Sequence, residues 1–267
     1  MLAARPIVPR SAARPGPERP DPGVSVEDFG AIRRVTLDRP SKKNAITASM
    51  YGALTQSLAE AASREGTHVV LLGSSGGAFS VGSDLDEVLE SGPSEAGSEA
   101  FARAAGAFLY ALASFPKPIV ASVGGVALGV GASMLLHCDL VVAARTAAFE
   151  FPFSRLAGLP EGGASVLLCA RVGLQRASEW LLCSDRIDAE TALRFGLVNV
   201  VVHAEELERA ALARAELLTT LPPRVVRETK RLLREPLRVA VEEAITRELD
   251  AITTRLPLMQ PPTSSRR

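Results

Sequence analysis

The sequence predicts an α/β fold made of a spiral of ββα units followed by a C-terminal helical region. Three observations carry that reading. A strand running into a glycine-rich turn and then a helix recurs after Val69, Ile119 and Leu140. Some successive strands have no helical stretch between them, whereas a regular doubly wound sheet needs a crossover helix between parallel neighbours. Beyond Glu205 the strand pattern gives way to helical periodicity up to about Thr254, broken at Pro222-Pro223. With 267 residues, 47% of them hydrophobic, the chain has ample material for one large core.

In chain order, residues 1–23 form a Pro- and Arg-rich leader that cannot bury enough apolar surface to order itself. It lacks the apolar centre of a secretory signal, and a transit peptide is the alternative. Val24 to Asp38 reads as a β-hairpin turning at Gly30. A helix follows from about Thr47, where Met50, Leu54, Leu58 and Ala62 recur every four residues and line one face. His68 to Leu72 is a buried strand, Gly73 to Gly77 a loop, and Phe79 to Leu85 a glycine-containing turn after a strand. The polar stretch 86–98 is expected as a mobile surface segment, and Phe101 to Phe115 as a helix.

Pro118 to Val123 reads as a short buried strand, and Met134 to Leu136 as an apolar helical turn. Asp139 to Ala143 is the next strand, and Phe149 to Gly163 a Pro- and Gly-rich crossing. Helices are expected at Val166 to Val172, Ala177 to Cys183 and Ala189 to Phe195, the last ended by Gly196. Leu197 to Val202 is the final strand. The resulting organisation is a leader (1–23), an α/β core (24–203), a helical region (204–256) and a disordered tail (257–267).

Thirty acids balance thirty bases, so the composition argues against a nucleic-acid or membrane-surface partner. No apolar run approaches the roughly 20 residues of a membrane span. Cys138, Cys169 and Cys183 are widely spaced and set among apolar residues. They read as buried free thiols of a reducing compartment, not as a disulfide frame or a metal site. The cytoplasm is the expected location, or the mitochondrion if the leader is a transit peptide.

The chemistry concentrates in two glycine turns, Val81-Gly82-Ser83 and Leu128-Gly129-Val130. The second lies in Gly124 to Asp139, where the chain goes abruptly from strand to helix. Gly129-Val130-Gly131 lacks the third glycine of a dinucleotide fingerprint. If the two preceding strands are neighbours, the backbone N–H groups of Ser83 and Val130 converge on one point, and two such donors make an oxyanion hole. The alternative is tight strand-to-helix packing through small residues.

Several stretches together resemble the crotonase, or enoyl-CoA hydratase/isomerase, superfamily. They are Leu37-Asp38-Arg39-Pro40 with Lys43-Asn44-Ala45-Ile46, Phe79 to Leu85, Gly124 to Asp139, Pro160-Glu161-Gly162-Gly163, and Asp188-Ala189 with Gly196-Leu197-Val198. The resemblance spans Val24 to Val202 and runs more loosely to about Leu249. It implies a crotonase-like ββα spiral, a homotrimer or dimer of trimers, and an acyl-CoA thioester whose enolate is held in the two-amide hole. CoA is then carried by the substrate, with no metal or separate cofactor. The implied substrate- and CoA-binding residues are Lys43, Ala45, Val81, Gly82, Asp84, Leu85 and Gly129; Asp84 also reads as a cap or ion-pair partner.

Two glutamates of the family's hydratase pattern are missing, since Ser133 occupies one place and Phe153, after Pro152, the other. One acid remains. Glu161 sits in Pro-Glu-Gly context after Pro152-Phe153-Ser154, similar to the peroxisomal type of 3,2-enoyl-CoA isomerase. Lys42-Lys43-Asn44-Ala45-Ile46 and Met50-Tyr51 also resemble that branch. The resemblance thus implies an isomerase of fatty acid metabolism, including β-oxidation. Its catalytic groups would be Glu161 and the backbone N–H groups of Ser83 and Val130, with an apolar pocket raising the Glu161 pKa. Another reaction of the family, or acyl-CoA binding without turnover, fits the same residues. Taken alone, Glu161 reads as a favourable helix-start acid, and His137 as a core residue.

Overall fold

The computed structural model describes residues 23–90 and 95–255. The leader, apart from Gly23, and the tail therefore lie outside the described residues. A hairpin opens the fold: β1 (Gly23–Phe29) pairs antiparallel with β2 (Ile32–Asp38) around Gly30. α1 (Ala48–Ser63) starts at Thr47, whose side chain accepts a hydrogen bond from the Met50 N–H and satisfies one free amide of the first turn. β3 (Val69–Ser74), β4 (Ala78–Ser80), α2 (Leu85–Glu90) and α3 (Glu95–Ser114) follow.

The next unit contains β5 (Ile119–Val123), β6 (Val126–Leu128) and α4 (Val130–Ser133), which tightens into a 3-10 turn at Met134–His137. Then come β7 (Leu140–Ala144), β8 (Ala148–Glu150), α5 (Ala164–Val172) and α6 (Leu174–Ser178), the last running into a π-helical turn at Glu179–Cys183. β9 (Ile187–Asp188), α7 (Ala189–Arg194) and β10 (Val200–Val202) close the core, and α8 (Leu207–Thr219) and α9 (Pro223–Arg255) complete the chain.

Each repeat sends its first strand to one sheet and its second to another. The larger sheet has the order β1-β2-β3-β5-β7-β10 and the smaller β4-β6-β8-β9. β3, β5 and β7 are parallel neighbours, as are β4, β6 and β8. Both faces of the larger sheet are covered, so its inner strands read as continuous apolar runs. In β3, Val70 and Leu72 face the main core, while Val69 and Leu71 pack with Ala211 and Ala215 of α8.

Several expectations are corrected. The stretch 86–98, read as a polar surface segment, is helical where it is described, with α2 over Leu85–Glu90 and α3 from Glu95; 91–94 lie outside the described residues. The Asp84 carboxylate caps α2 by accepting from the Asp86 and Glu87 N–H groups, and Asp86 and Glu87 suit a helix start. β6 lies within the expected glycine turn, and β8 runs into the start of the expected Pro- and Gly-rich crossing. Each has three residues, too few to show a two-residue period. The cysteines are free, but only Cys138 is buried; Cys169 is partly buried and Cys183 exposed. Among the described residues no group of three or more potential ligands is placed to hold a metal, and no helix is long and apolar enough to cross a membrane.

Helix α9 docks onto the core through charge. Asp139, just before β7, accepts from the Ile119 N–H at 2.8 Å, from Lys230 at 2.8 Å and from Arg234 at 2.9 Å. Lys230 is largely buried, so removing its counter-charge leaves an unpaired ammonium inside the fold. Asp139→Ala is expected to lower unfolding free energy by about 3 kcal/mol, at the lower end for breaking a buried pair. Urea midpoints of the two proteins check this; a change within about 0.5 kcal/mol, as at an ordinary surface site, would contradict it.

Candidate active site

Parallel pairing of β4 with β6 sets the two glycine turns side by side. Gly82 takes φ +92°, a backbone conformation that side chains disfavour, and a Cβ there would stand 3.0 Å from the Leu128 carbonyl oxygen and 3.7 Å from the Val130 nitrogen. Ser83 bridges to Ile46: the Ile46 N–H donates to the Gly82 carbonyl at 2.8 Å, and the Asp84 N–H to the Ile46 carbonyl at 2.9 Å. Those bonds use the groups flanking Ser83, so its own N–H points to the opposite edge. Gly129, at φ +53°, caps α4, and Val130 is the first helical residue. A first-turn N–H has no partner within its helix and is free for something else.

Glu161 faces that amide: the Val130 N–H lies close enough to its carboxylate to favour the charged form. Glu161 as a whole is partly accessible, but Val130 is fully buried, so the carboxylate is directed inward. Burial pushes its pKa up to about 7; the nearby charge of Glu248 adds to the rise, and the Val130 amide opposes it. A carboxyl titrating there can lose and regain a proton near neutrality.

The surroundings of Glu161 come from four elements. Tyr51 of α1 hydrogen-bonds through its hydroxyl to the Ser83 Oγ at 2.8 Å. Burial raises the Tyr51 pKa well above the usual phenol value, and the Glu161 charge raises it further. The His137 Nε2 lies 2.7 Å from the Gly162 carbonyl oxygen. A carbonyl can only accept, so Nε2 carries the proton. Burial lowers the His137 pKa to about 4, keeping the ring neutral. Ser133, on α4, is buried, and a Cβ at Gly162 would sit 3.3 Å from its Cβ. Glu248, on α9, accepts from the Gly163 N–H, the Ser165 N–H and the Ser165 hydroxyl.

The residues singled out in the sequence fall into two groups. Ser83, Val130 and Glu161 are brought together with Gly82 and Gly129. Lys43, Ala45 and Val81 lie alongside: the Val81 N–H donates to the Lys43 carbonyl at 3.2 Å, and the Ala45 carbonyl accepts from Arg39. The Lys43 side chain is exposed, and Leu85 is exposed at the start of α2. The Asp84 carboxylate is engaged by Arg39 as well as by its cap. Burial alone would raise its pKa, but the Arg39 bond and the two amides outweigh that and lower it.

Sequence reasoning gave Tyr51 no role and missed Glu248. Glu248 did leave a signal, since it occupies the same helical stripe as Val241, Ala244 and Ile245, where an acid is out of place. His137 is a core residue as expected, and it also supports the turn that carries Glu161.

The family model described as enoyl-CoA hydratase/isomerase matches residues 27–255. The enoyl-CoA delta isomerase 2 of Rattus norvegicus is 34% identical over 229 residues, which cover 84% of this chain and 58% of that protein, so the chain spans little more than half of that relative. A probable enoyl-CoA hydratase of Rhodobacter capsulatus is 34% identical over 80% of this chain and 84% of its own. The crystal structure of an enoyl-CoA hydratase/isomerase from Pseudoalteromonas atlantica superposes with a TM-score of 0.80 at 32% identity, covering 88% of this chain and 91% of that one.

The raised Glu161 pKa has a cost in stability. Its pKa moves from an ordinary 4.5 to about 7 on folding, so between those values the native state holds more protons than the unfolded state. Stability linked to this group is fullest below pH 4.5 and falls as pH rises to 7, by up to about 3 kcal/mol. Glu161→Gln lacks this titration. Denaturant midpoints at pH 5 and pH 8 are expected to show the variant gaining on the wild type as pH rises; a constant difference would place the Glu161 pKa in the ordinary range.

Proposed function

Because the chain belongs to the enoyl-CoA hydratase/isomerase family and has its crotonase fold, we propose that it is a 3,2-enoyl-CoA isomerase that uses Glu161 as its single acid–base group. The observation that carries this reading is the closeness of the Glu161 carboxylate to the Val130 N–H, which favours its charged form. It puts a base of raised pKa beside an oxyanion donor. A thioester oxygen that takes over the Val130 and Ser83 N–H groups leaves the carboxylate next to the carbon adjoining the carbonyl.

In this mechanism the two amides polarise the thioester carbonyl, which acidifies C2 of a 3-enoyl-CoA. Glu161 removes a C2 proton. The electron pair left on C2 spreads over the C3–C4 double bond and the thioester oxygen, giving a dienolate. The protonated Glu161 then returns its proton to C4, the double bond settles between C2 and C3, and the carboxylate is restored. One carboxyl acting as base and then acid suffices, because no water is added. Ser133 and Phe153, where the hydratase pattern has glutamates, support isomerisation over hydration.

The proposal includes an acyl-CoA partner, no metal or redox cofactor, and an assembly of three or six chains in the cytoplasm. Exposed Leu232, Leu233 and Val239 on α9 favour assembly. The relatives named isomerase and hydratase make the reaction type the point to test. A panel of 3-enoyl- and 2-enoyl-CoA thioesters, assayed for both isomerisation and hydration, is expected to show the 3-to-2 shift. Its kcat/KM should rise with pH through a midpoint near 7, where Glu161 loses its proton. Hydration of 2-enoyl-CoA without the shift, or binding without turnover, would overturn the proposal.

A further inference from the structure

Glu248 lies far from Glu161 in sequence, yet it grips the turn that carries it. The Gly163 N–H donates to the Glu248 Oε2 at 2.6 Å, while the Ser165 N–H and hydroxyl donate to Oε1 at 3.0 and 2.6 Å. Gly163 is two residues beyond Glu161 and caps α5. Both Glu248 oxygens act as acceptors, as those of an ionised carboxylate do. The contact is built: Glu248 is buried, and Val241 and Ile245, two turns and one turn before it on α9, pack against Gly163. On the other side of the turn, His137 holds the Gly162 carbonyl. The same helix reaches back to that neighbourhood, because Arg234 donates to the carbonyls of His137 and Cys138.

We propose that Glu248 is a positioning residue for the base: by fastening Gly163 and Ser165 it fixes the turn beneath Glu161 and makes the base competent only when the C-terminal helix is docked. This rests on the reading of Glu161 as the base. Glu248 acts at two levels. Its hydrogen bonds set where the Glu161 carboxylate stands relative to the Val130 amide. Its negative charge opposes a second negative charge at Glu161 and so keeps the proton there to higher pH. The other titratable groups facing Glu161 are neutral near pH 7. Tyr51, from α1, has a raised pKa, and His137, from the turn after α4, has a lowered one. Among the described residues shown to act on Glu161, Glu248 is therefore the charged one.

The test uses Glu248→Gln and Ser165→Ala in the full chain. Gln keeps one acceptor oxygen and the shape but removes the charge. Ser165→Ala leaves the charge and removes one bond at an exposed position, so it keeps the proposal testable if the first variant does not fold. Glutamate labelled with 13C at the side-chain carboxyl gives the Glu161 titration by NMR without substrate, with Glu161→Gln assigning the resonance. In Glu248→Gln the Glu161 midpoint is expected to fall below its wild-type value, and the rising limb of kcat/KM to move to lower pH with it. In Ser165→Ala kcat is expected to drop roughly 10–10²-fold with KM unchanged, the effect of a small misplacement of a reacting group. A purely structural Glu248 predicts an unmoved Glu161 titration in folded Glu248→Gln, and an unmoved kcat in Ser165→Ala; either result overturns the proposal. A moved titration in a protein that turns over no enoyl-CoA would sustain the role of Glu248 and reject only the isomerase reading.

Discussion

The approach of the Glu161 carboxylate to the Val130 N–H is the constraint on which the rest of the site depends. It exists because three parts of the chain converge. Parallel pairing of β4 and β6 brings the Gly82 and Gly129 turns together. The start of α4 leaves the Val130 amide free of helix bonding. The Pro160–Gly163 turn, held by His137 from one side and Glu248 from the other, delivers the carboxylate. The spiral thus serves chemistry in a definite way: alternate strands go to alternate sheets, so turns from successive repeats become neighbours at one end of the smaller sheet.

The site asks opposite things of the fold. A partly desolvated carboxyl near a second carboxylate is unfavourable to ionise, and the same circumstance brings its pKa close to 7, where it can both take and give a proton. The fold offsets that strain elsewhere. Tyr51 holds the Ser83 side chain, its ring packs against Phe101 and Phe108, and charged contacts at Asp139 dock α9. The C-terminal helix is therefore part of the site's framework: its Lys230 and Arg234 secure the base of β7, and its Glu248 secures the turn after Glu161.

Much of this was legible in the sequence wherever a local pattern was long enough to carry it. The hairpin around Gly30, the apolar face of α1 and the strands β3, β5 and β7 follow from periodicity and from glycines at turns. The turns at Gly82 and Gly129 could be singled out because a glycine turn after a strand leaves a local signal, and pairing of β4 with β6 sets them side by side. The short strands β6, β8 and β9 could not be read, since two or three residues show no period. Nor could the helical state of 85–90, which relies on the Asp84 cap. Glu248 was missed because its importance lies in a contact across the fold, although its place on an apolar helical stripe was visible. Apolar neighbours in sequence suggested a buried Cys183, whereas the π-helical turn ends with it exposed.

On the proposal made for Glu161, one carboxyl does the chemistry while the backbone amides hold the thioester oxygen. Glu161→Gln separates the two, since it keeps size and the amides but removes the base. With a 3-enoyl-CoA, kcat is predicted to fall roughly 10²–10⁴-fold, the usual worth of a positioned acid–base group, while the Kd for a saturated acyl-CoA stays close to that of the wild type. Wild-type turnover in a folded Glu161→Gln protein would contradict the account.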